Sequence, residues 1–244
     1  MRIRPRLQYD PIVPITLTPQ EVRGVLKGTV TQLRRLAVLP TERGAWEATT
    51  IGGIGCATSA GAPVAEQGAI WNTKTGTTIA APWGAGQRLW VRETWRAEER
   101  EGDGVDGIRF AAGDVFVAIE DTRDAADRWL DAYHMKPSGK RWRPPAHMPQ
   151  WASRLSLEIT GVRVEPLFAI SDEDARASGA HPLPLQEVTR GAWWTADTTA
   201  GAGLHARTPA AAFRRLWRSL HGADSWNANA WVWVLEVRKV KGPQ

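Results

Sequence analysis

The sequence predicts an α+β fold, in which several strands and three or four helices surround a small barrel or curled sheet. Two observations lead to this prediction. Alternating apolar residues mark strands, and segments with serine or threonine helix caps lie between them without regular βαβ alternation. The clearest alternating segments are residues 87–95, 154–164 and 231–240.

The N-terminal part begins with a short predicted strand, residues 12–17, followed by a capped helix. Residues 18–21, Thr-Pro-Gln-Glu, supply an N-cap, a proline in the first helical position and the glutamate of a capping box. Gly28 ends this helix. A polar, basic stretch then leads into a second predicted strand at residues 36–39.

Three long segments show no helical period and are interpreted as insertions in a single domain spanning residues 1–244. They cover about 44–86, 97–149 and 180–207. The first contains a predicted hairpin near 70–79. The second contains a predicted strand at 114–120, a short helix at 123–133 and a proline-rich basic loop at 136–149.

The remaining elements have clear boundaries. Ser171 caps a helix that ends at Gly179, and residues 208–221 form another helix that starts with Thr-Pro. In the last strand, Trp231 and Trp233 share one face, and we expect them to close the core.

Tryptophan dominates the aromatic residues, with 14 tryptophans against 4 phenylalanines and 2 tyrosines. Tryptophan fills cores and can also stack on nucleobases. We expect most of these side chains to be packing residues.

The net charge of +5 is unevenly distributed. Residues 205–244 carry seven lysines and arginines against two acids, whereas residues 98–131 carry eleven acids against four bases. A basic body with one acidic segment favours a polyanionic partner, and a solvated basic face is the alternative.

Several classes of site are not expected. The single cysteine, Cys56, excludes an intrachain disulfide and a cysteine-cluster metal site, and the histidines lack ligand-like spacing. We therefore expect no metal and no cofactor. No stretch approaches the roughly 20 apolar residues of a membrane span, so a cytoplasmic protein is expected.

The stretch at residues 87–95 carries the most informative candidate residue, Glu93. As a continuous strand it would place Leu89, Val91, Glu93 and Trp95 on one face. A carboxylate would then point inward, where burial requires a partner. Either a structural arginine pairs with Glu93, or Glu93 lies at the floor of a pocket where its pKa can be tuned.

Six segments resemble, in order, a tryptophan-rich, phage- and prophage-associated branch of the ASCH domains in the PUA-like superfamily. They are residues 14–17, 28–35, 86–95, 142–154, 170–175 and 226–234. The resemblance implies a small PUA-like β-barrel with peripheral helices and a cleft between the barrel and the helix after the first strand. It also implies RNA binding or recognition of modified bases, and some small ASCH proteins are amidohydrolases.

The sequence departs from the amidohydrolase pattern at two of three positions. Val30 and Leu33 stand where the family has lysine and threonine, and only the glutamate is kept, as Glu93. Valine and leucine cannot activate or supply a nucleophile, and Thr31 is displaced from the expected position. Amidohydrolase chemistry is therefore disfavoured, whereas binding is not.

The resemblance leads to a candidate site centred on Glu93, which would read a base edge or, in an enzyme, act as general acid or base. Arg34 and Arg35 would hold phosphate at the mouth, or one of them would pair with Glu93 only to hold the fold. The other candidate ligand-binding residues are Thr31, Arg92 and the possible stacking residues Trp95 and Trp151.

A basic loop beside an aromatic residue forms the candidate nucleic-acid contact, with a solvated loop as the alternative. Its residues are Lys136, Lys140, Arg141, Trp142 and Arg143.

The predicted function is that of a phage or prophage protein that binds nucleic acid or a modified nucleotide, with RNA or single-stranded DNA as partner. Two alternatives stay open: a hydrolase, either amidohydrolase or nuclease, acting on a modified base or RNA, and a phage assembly protein.

Overall fold

A computed structural model describes residues 12–53, 56, 66–135, 141–183, 194–196 and 205–241. These residues form mixed α+β structure, which confirms the α+β class but not the predicted barrel. The helices are α1 (Pro19–Lys27), α2 (Arg123–His134), α3 (Asp172–Ala177) and α4 (Pro209–His221). The strands are β1 (Ile12–Thr16), β2 (Gln32–Leu36), β3 (Trp46–Ile51), β4 (Gln67–Asn72), β5 (Thr78–Ala80), β6 (Arg88–Arg92), β7 (Trp95–Glu99), β8 (Asp106–Phe110), β9 (Val115–Ala118), β10 (Ser156–Pro166), β11 (His181–Pro182), β12 (Trp194–Thr195) and β13 (Trp231–Val240).

The strands of the described residues form four sheets, with the orders β1-β6-β10-β13-β2, β3-β4-β5, β7-β8-β9 and β11-β12. None of these sheets closes into a barrel within the described ranges. The described residues divide into two compact units. Unit 1 holds residues 12, 28–88 and 158–238, and unit 2 holds residues 13–27, 89–157 and 239–241.

Strand β2 of unit 1 begins four residues earlier than the strand predicted at 36–39 and ends at Leu36. It pairs antiparallel with β13, from Gln32 opposite Glu236 to Leu36 opposite Val232. The polar residues before Leu36 had argued against a strand. They are accommodated because Gln32 and Arg34 are buried with hydrogen-bond partners for their side chains.

A second sheet of unit 1 is formed by the segment predicted to be an irregular insertion. The predicted hairpin is confirmed, since Ile70 lies opposite Ile79 in β4 and β5. The prediction of irregular structure was wrong for residues 46–51, because β3 pairs with β4 along its whole length. Threonines and half-exposed side chains in β3 hide the alternation that marks a strand.

The helices of unit 1 begin where their caps predicted. Ser171 and Asp174 form a capping box at α3, and Thr208 accepts a hydrogen bond from the Ala211 amide at α4. Both helices pack on one buried cluster, which includes Leu167, Ala175, Phe213, Trp217, Trp226 and Val234. No helix in the described part of the chain is long and apolar enough to cross a membrane.

Unit 2 is built on the sheet β7-β8-β9 and helix α2. Strand β9 and helix α2 confirm the predicted strand at 114–120 and helix at 123–133. Strands β7 and β8 were missed, since charged residues such as Arg96 and Arg109 lie opposite each other on one face of this sheet. The Trp129 indole donates a 2.8 Å hydrogen bond to the Gly107 carbonyl and so fixes α2 on the sheet.

Residues 87–95 do not form one continuous strand. Strand β6 ends at Arg92 and β7 begins at Trp95, so Glu93 and Thr94 form the connection between two different sheets. Glu93 and its alternating neighbours are nevertheless buried, as the alternation predicted. The connection frees Glu93 from a strand ladder and leaves its amide near the sulfur of Met148, at 3.4 Å.

Most described tryptophans are packing residues, as predicted. Those buried below a tenth of their surface are Trp90, Trp95, Trp129, Trp217, Trp226 and Trp233. Trp231 and Trp233 belong to one cluster with Ile70, which confirms their predicted place in the core. Among the described tryptophans, Trp71 and Trp142 are more than a third exposed.

Gly107 shows how tightly the sheet of unit 2 is packed. A Cβ atom at this position would lie 2.5 Å from the Val117 carbonyl oxygen and against the ring of Phe116 on β9. The contact involves backbone as well as a side chain, so it cannot be relieved by a rotamer change alone. Only glycine fits this strand position.

We expect Gly107→Ala to lower the free energy of unfolding by about 1–3 kcal/mol, because β9 must shift away from the new methyl group. Gly68→Ala is the matched control, since its nearest atom, the Val162 carbonyl oxygen, is 3.5 Å away. The control should leave stability unchanged or raise it by up to about 1 kcal/mol. Urea denaturation of both variants measures the difference, and equal losses would contradict the packing argument.

Candidate functional site

The carboxylate of Glu93 is buried in unit 2 and is bound by Arg154. The Glu93 side chain is 2% exposed. Arg154 donates from Nε to Oε1 at 2.9 Å and from Nη2 to Oε2 at 2.8 Å. The inward orientation of Glu93 is therefore confirmed, and its partner is an arginine that the sequence analysis did not select.

Arg154 is held on three sides. In addition to the two bonds to Glu93, its Nη2 donates to the Ala112 carbonyl at 3.0 Å. Its guanidinium lies over the ring of Phe110, 4.2 Å from the centroid. Among the described residues, none accepts a hydrogen bond from Nη1 of Arg154, although this side chain is only 11% exposed.

Burial raises the pKa of the Glu93 carboxyl, and the hydrogen bonds and positive charge of Arg154 oppose this increase. Arg154 and Glu93 carry opposite charges at contact distance, so the pair presents little net charge to its surroundings. What remains for a ligand is the hydrogen-bonding capacity of Nη1.

Arg154 lines a pocket of about 650 Å³ that lies entirely within unit 2. Its apolar wall includes Ile108, Phe110 and Val117 from β8 and β9. Trp151, which is half-buried, and Gln150 form another wall, and the first turn of α2 completes the rim. Polar side chains also line this pocket, among them Glu120, Asp124 and Arg128. A pocket of this size that combines apolar walls with polar groups can hold a small molecule.

Trp95 cannot stack on a base, which corrects one prediction. Its ring is fully buried and lies under the guanidinium of Arg143, at 5.3 Å from the centroid. The backbones of the same two residues are paired, with the Arg143 amide donating to the Trp95 carbonyl at 2.8 Å. Trp95 is a core residue of unit 2.

Arg143 was predicted to contact nucleic acid, but its side chain is buried, with 2% of the residue exposed. Its Nη2 donates to the Met135 carbonyl at 2.9 Å, just beyond the end of α2. A cation at this end of a helix is favourable, since the carbonyls there are unpaired. Burial lowers the pKa of Arg143.

Of the other residues predicted to contact nucleic acid in the basic loop, only Arg141 and Trp142 belong to the described part of the chain. Lys136 and Lys140 lie outside the described residues. Arg141 is exposed, and Trp142 is 41% exposed with the Arg96 guanidinium 4.5 Å from its ring centroid. Arg92 is half-buried in β6, and its guanidinium lies 4.7 Å from the ring centroid of Trp90.

Arg34 belongs to unit 1 and has a structural role there instead of a free guanidinium for phosphate. It is 5% exposed and donates from Nη1 to Glu165 at 2.5 Å and from Nη2 to Gln32 at 2.9 Å. Burial lowers its pKa, and Glu165 and Asp174 oppose this change. The Arg34 guanidinium, which was predicted to bind phosphate, is therefore already paired with carboxylates of unit 1.

The neighbours of Arg34 were predicted to line the same site. Arg35 is partly buried and donates from Nη1 to the Arg34 carbonyl at 2.8 Å. The Thr31 side chain is exposed, and its backbone bonds to Ala177 and Val237. Val30 and Leu33, which stand where the amidohydrolase pattern has lysine and threonine, are core residues.

Asp174 connects α3 to this group of charges in unit 1. Burial would raise its pKa, but hydrogen bonds from Gln32 and Ser171 and the positive charge of Arg163 lower that pKa to about 2. The Gln32 and Arg163 bonds reach the same carboxylate oxygen, at 2.8 and 2.5 Å. The ionised carboxylate thus joins α3 to β2 and β10.

Comparison with protein-family models, curated proteins and solved structures gives no match for this chain.

Arg154 is a residue of the candidate site that could not be singled out from the sequence. A buried carboxylate at residue 93 requires a cation, but 61 positions separate the two partners. The only signal was the end of the segment at 142–154, where an arginine follows Trp151 by three residues. Nothing in that spacing distinguishes it from the other arginines.

We expect Glu93→Ala to lower the free energy of unfolding by about 3–5 kcal/mol, because it leaves the guanidinium of Arg154 buried without its counter-charge. The matched control is Glu158→Ala, whose partner Arg238 is 65% exposed. This surface pair should contribute no more than about 1 kcal/mol. Urea denaturation measures both losses, and similar values would show that the buried pair contributes no more to stability than the surface pair.

Acid should destabilise the protein through Asp174. Its folded pKa of about 2 lies below the ordinary value of 3.8. The ionised carboxylate therefore adds stability above pH 3.8, and this contribution of about 2 kcal/mol is lost as the pH falls towards 2. Asp174→Asn should reduce the loss of stability between pH 5 and pH 2 by that amount. Glu173→Gln, on the exposed side of α3, is the control for removing one carboxylate, and an unchanged pH dependence in Asp174→Asn would refute the assignment.

Proposed function

We propose that this protein binds a nucleobase in the pocket of unit 2, presented by an unpaired stretch of RNA or DNA or by a modified nucleotide. The observation that carries the proposal is the anchored guanidinium of Arg154, whose Nη1 has no protein partner among the described residues at the wall of a 650 Å³ pocket. The neutral Arg154–Glu93 pair favours a base edge over a phosphate, because a phosphate would require uncompensated positive charge.

The two sides of the pocket supply the two interactions that bases need. Trp151 offers an aromatic face for stacking. Arg154 offers N–H donors for acceptors such as guanine O6 and N7. Glu93 then acts through Arg154 as a positioning residue, since it fixes the guanidinium and does not itself line the pocket.

The same geometry does not favour a hydrolase. Both carboxylate oxygens of Glu93 accept hydrogen bonds from Arg154, so Glu93 is not placed as a general base. With Val30 and Leu33 in the core, the family's lysine and threonine have no counterpart at those positions.

The proposal also includes a family, a cellular location and a second contact with the nucleic acid. The ordered segments that resemble ASCH proteins support a PUA-like domain of phage or prophage origin, acting in the bacterial cytoplasm. Arg141 and Trp142 are exposed, which supports contact with a nucleic-acid strand beyond the pocket. Lys136 and Lys140 remain candidates for the same contact.

The proposal is tested by quenching of tryptophan fluorescence with free nucleosides, nucleoside monophosphates and short RNA or DNA single strands. We expect Trp151→Ala to weaken nucleoside binding by about tenfold or more, the typical effect of losing one base-stacking aromatic. Arg154→Lys should also weaken binding, because lysine lacks the planar fork that Glu93 anchors.

Trp71→Ala is the control, since it removes a solvent-accessible tryptophan in unit 1 and outside the pocket. Circular dichroism and thermal unfolding show whether each variant stays folded. Equal affinities for Trp151→Ala and Trp71→Ala would place the ligand elsewhere, and quenching by none of the ligands would exclude the proposed function.

A further inference from the structure

Helix α4 of unit 1 carries an exposed basic face. Residues 205–225 contain four arginines and one acid, Asp224, and α4 itself contains three arginines and no acid. The opposite face is used for packing, with Ala212, Phe213, Leu216 and Trp217 buried. The three arginines lie on the exposed side of α4, and Ser219, Leu220 and His221 at its C-terminal end are exposed as well.

Arg214 and Arg218 are four positions apart in the sequence, so they lie on the same side of α4. Like charges at this spacing repel, and an acid one turn away would normally offset them. Arg218 lies in the last turn, where the helix dipole favours a cation, and its Nε donates to the Ala223 carbonyl at 2.7 Å. Asp172 is bound at the other end of α4, to the Ala210 amide.

An aromatic stack lies beside Arg214. The rings of Phe168 and Trp226 are stacked at 5.6 Å with an interplanar angle of 25°, and the Arg214 guanidinium lies 5.8 Å from the Trp226 centroid. Trp226 is buried, whereas Phe168 is 51% exposed. The Phe168 amide donates to the Asn229 side chain at 2.8 Å, which fixes the backbone at this residue, and the ring itself is supported by its stack on Trp226.

We infer that Phe168, Arg214 and Arg218 form a contact surface for single-stranded nucleic acid, where a base stacks on Phe168 and Arg214 and Arg218 bind phosphates. The fixed, half-exposed ring offers a sequence-independent stacking platform. The guanidinium groups offer charge-assisted bonds to the backbone. This surface rests on the proposed function in one respect, that the partner is nucleic acid.

An anionic membrane is the other partner that a basic helix can suit, and the packing of α4 argues against it. A helix that lies in a membrane surface buries its apolar face among the lipids. The apolar face of α4 is already buried inside unit 1. A polyanion that needs only the charged face fits α4 better.

The test is fluorescence anisotropy of a labelled twelve-nucleotide oligouridine, titrated with protein at several salt concentrations. The charge variant is Arg214→Gln/Arg218→Gln. Its matched control is Arg43→Gln/Arg88→Gln, which removes two exposed arginines of unit 1 outside this surface. The stacking variant is Phe168→Leu, which keeps an apolar side chain, and Phe168→Trp is its rescue.

We expect the charge variant to reduce the slope of log affinity against log salt by about 1.4, the value for two lost phosphate contacts on a single strand. The control should keep the wild-type slope. Phe168→Leu should weaken binding about tenfold with the slope unchanged, and Phe168→Trp should restore it. Circular dichroism and unfolding curves confirm that each variant is folded.

Wild-type slope and affinity in the folded charge variant would overturn the inference and leave the base pocket untouched. Binding of free nucleosides without binding of the oligomer would likewise overturn this inference alone. Loss of nucleoside binding in Trp151→Ala tests the pocket separately. Binding to phosphatidylglycerol vesicles without binding to the oligomer would overturn the inference in favour of a membrane surface.

Discussion

The pairing of the buried Glu93 carboxylate with Arg154 is the constraint on which the candidate site depends. A lone carboxylate at 2% exposure would be strongly disfavoured, and Arg154 makes it acceptable by donating to both oxygens. The same two bonds immobilise the guanidinium and direct its remaining N–H groups away from the pair. An interaction required by burial therefore also produces a preorganised donor, at little further entropic cost when a ligand binds.

The same rule determines the structure of unit 1 and explains where sequence interpretation failed. Arg34 and Gln32 lie in the polar stretch that was predicted to precede a strand, because polar side chains rarely occupy buried strand positions. Their partners Glu165 and Asp174 are more than 130 residues away in the chain. Alternation reports only whether a side chain is apolar. The alternation pattern therefore cannot predict that a carboxylate far away in the chain will pair with a polar side chain and allow its burial.

Local chemistry was predicted well where it is complete within a few residues. The caps at Ser171 and Thr208 gave the starts of α3 and α4, and the alternation at residues 231–240 gave β13. Strands β3, β7 and β8 were missed because their exposed faces carry charged or threonine side chains. For the site, the inward position of Glu93 could be predicted from alternation, but the identity of its partner could not. The burial of Trp95 and Arg143 depends on their mutual contact across 48 positions of the chain, which has no local signal.

If the proposed function is correct, the difference in charge between the two candidate surfaces divides recognition into two physical tasks. In the pocket, Glu93 neutralises Arg154, so the remaining interaction is directional hydrogen bonding and stacking, which depend on the shape of a base and little on salt. On α4, Arg214 and Arg218 have no neutralising acid within the helix, so their interaction is largely electrostatic and follows the phosphate backbone. A neutral, anchored guanidinium can distinguish bases because it adds little attraction to any polyanion. Under the proposed function, the uncompensated arginines would bind strands of any sequence, and base selection would be left to the pocket.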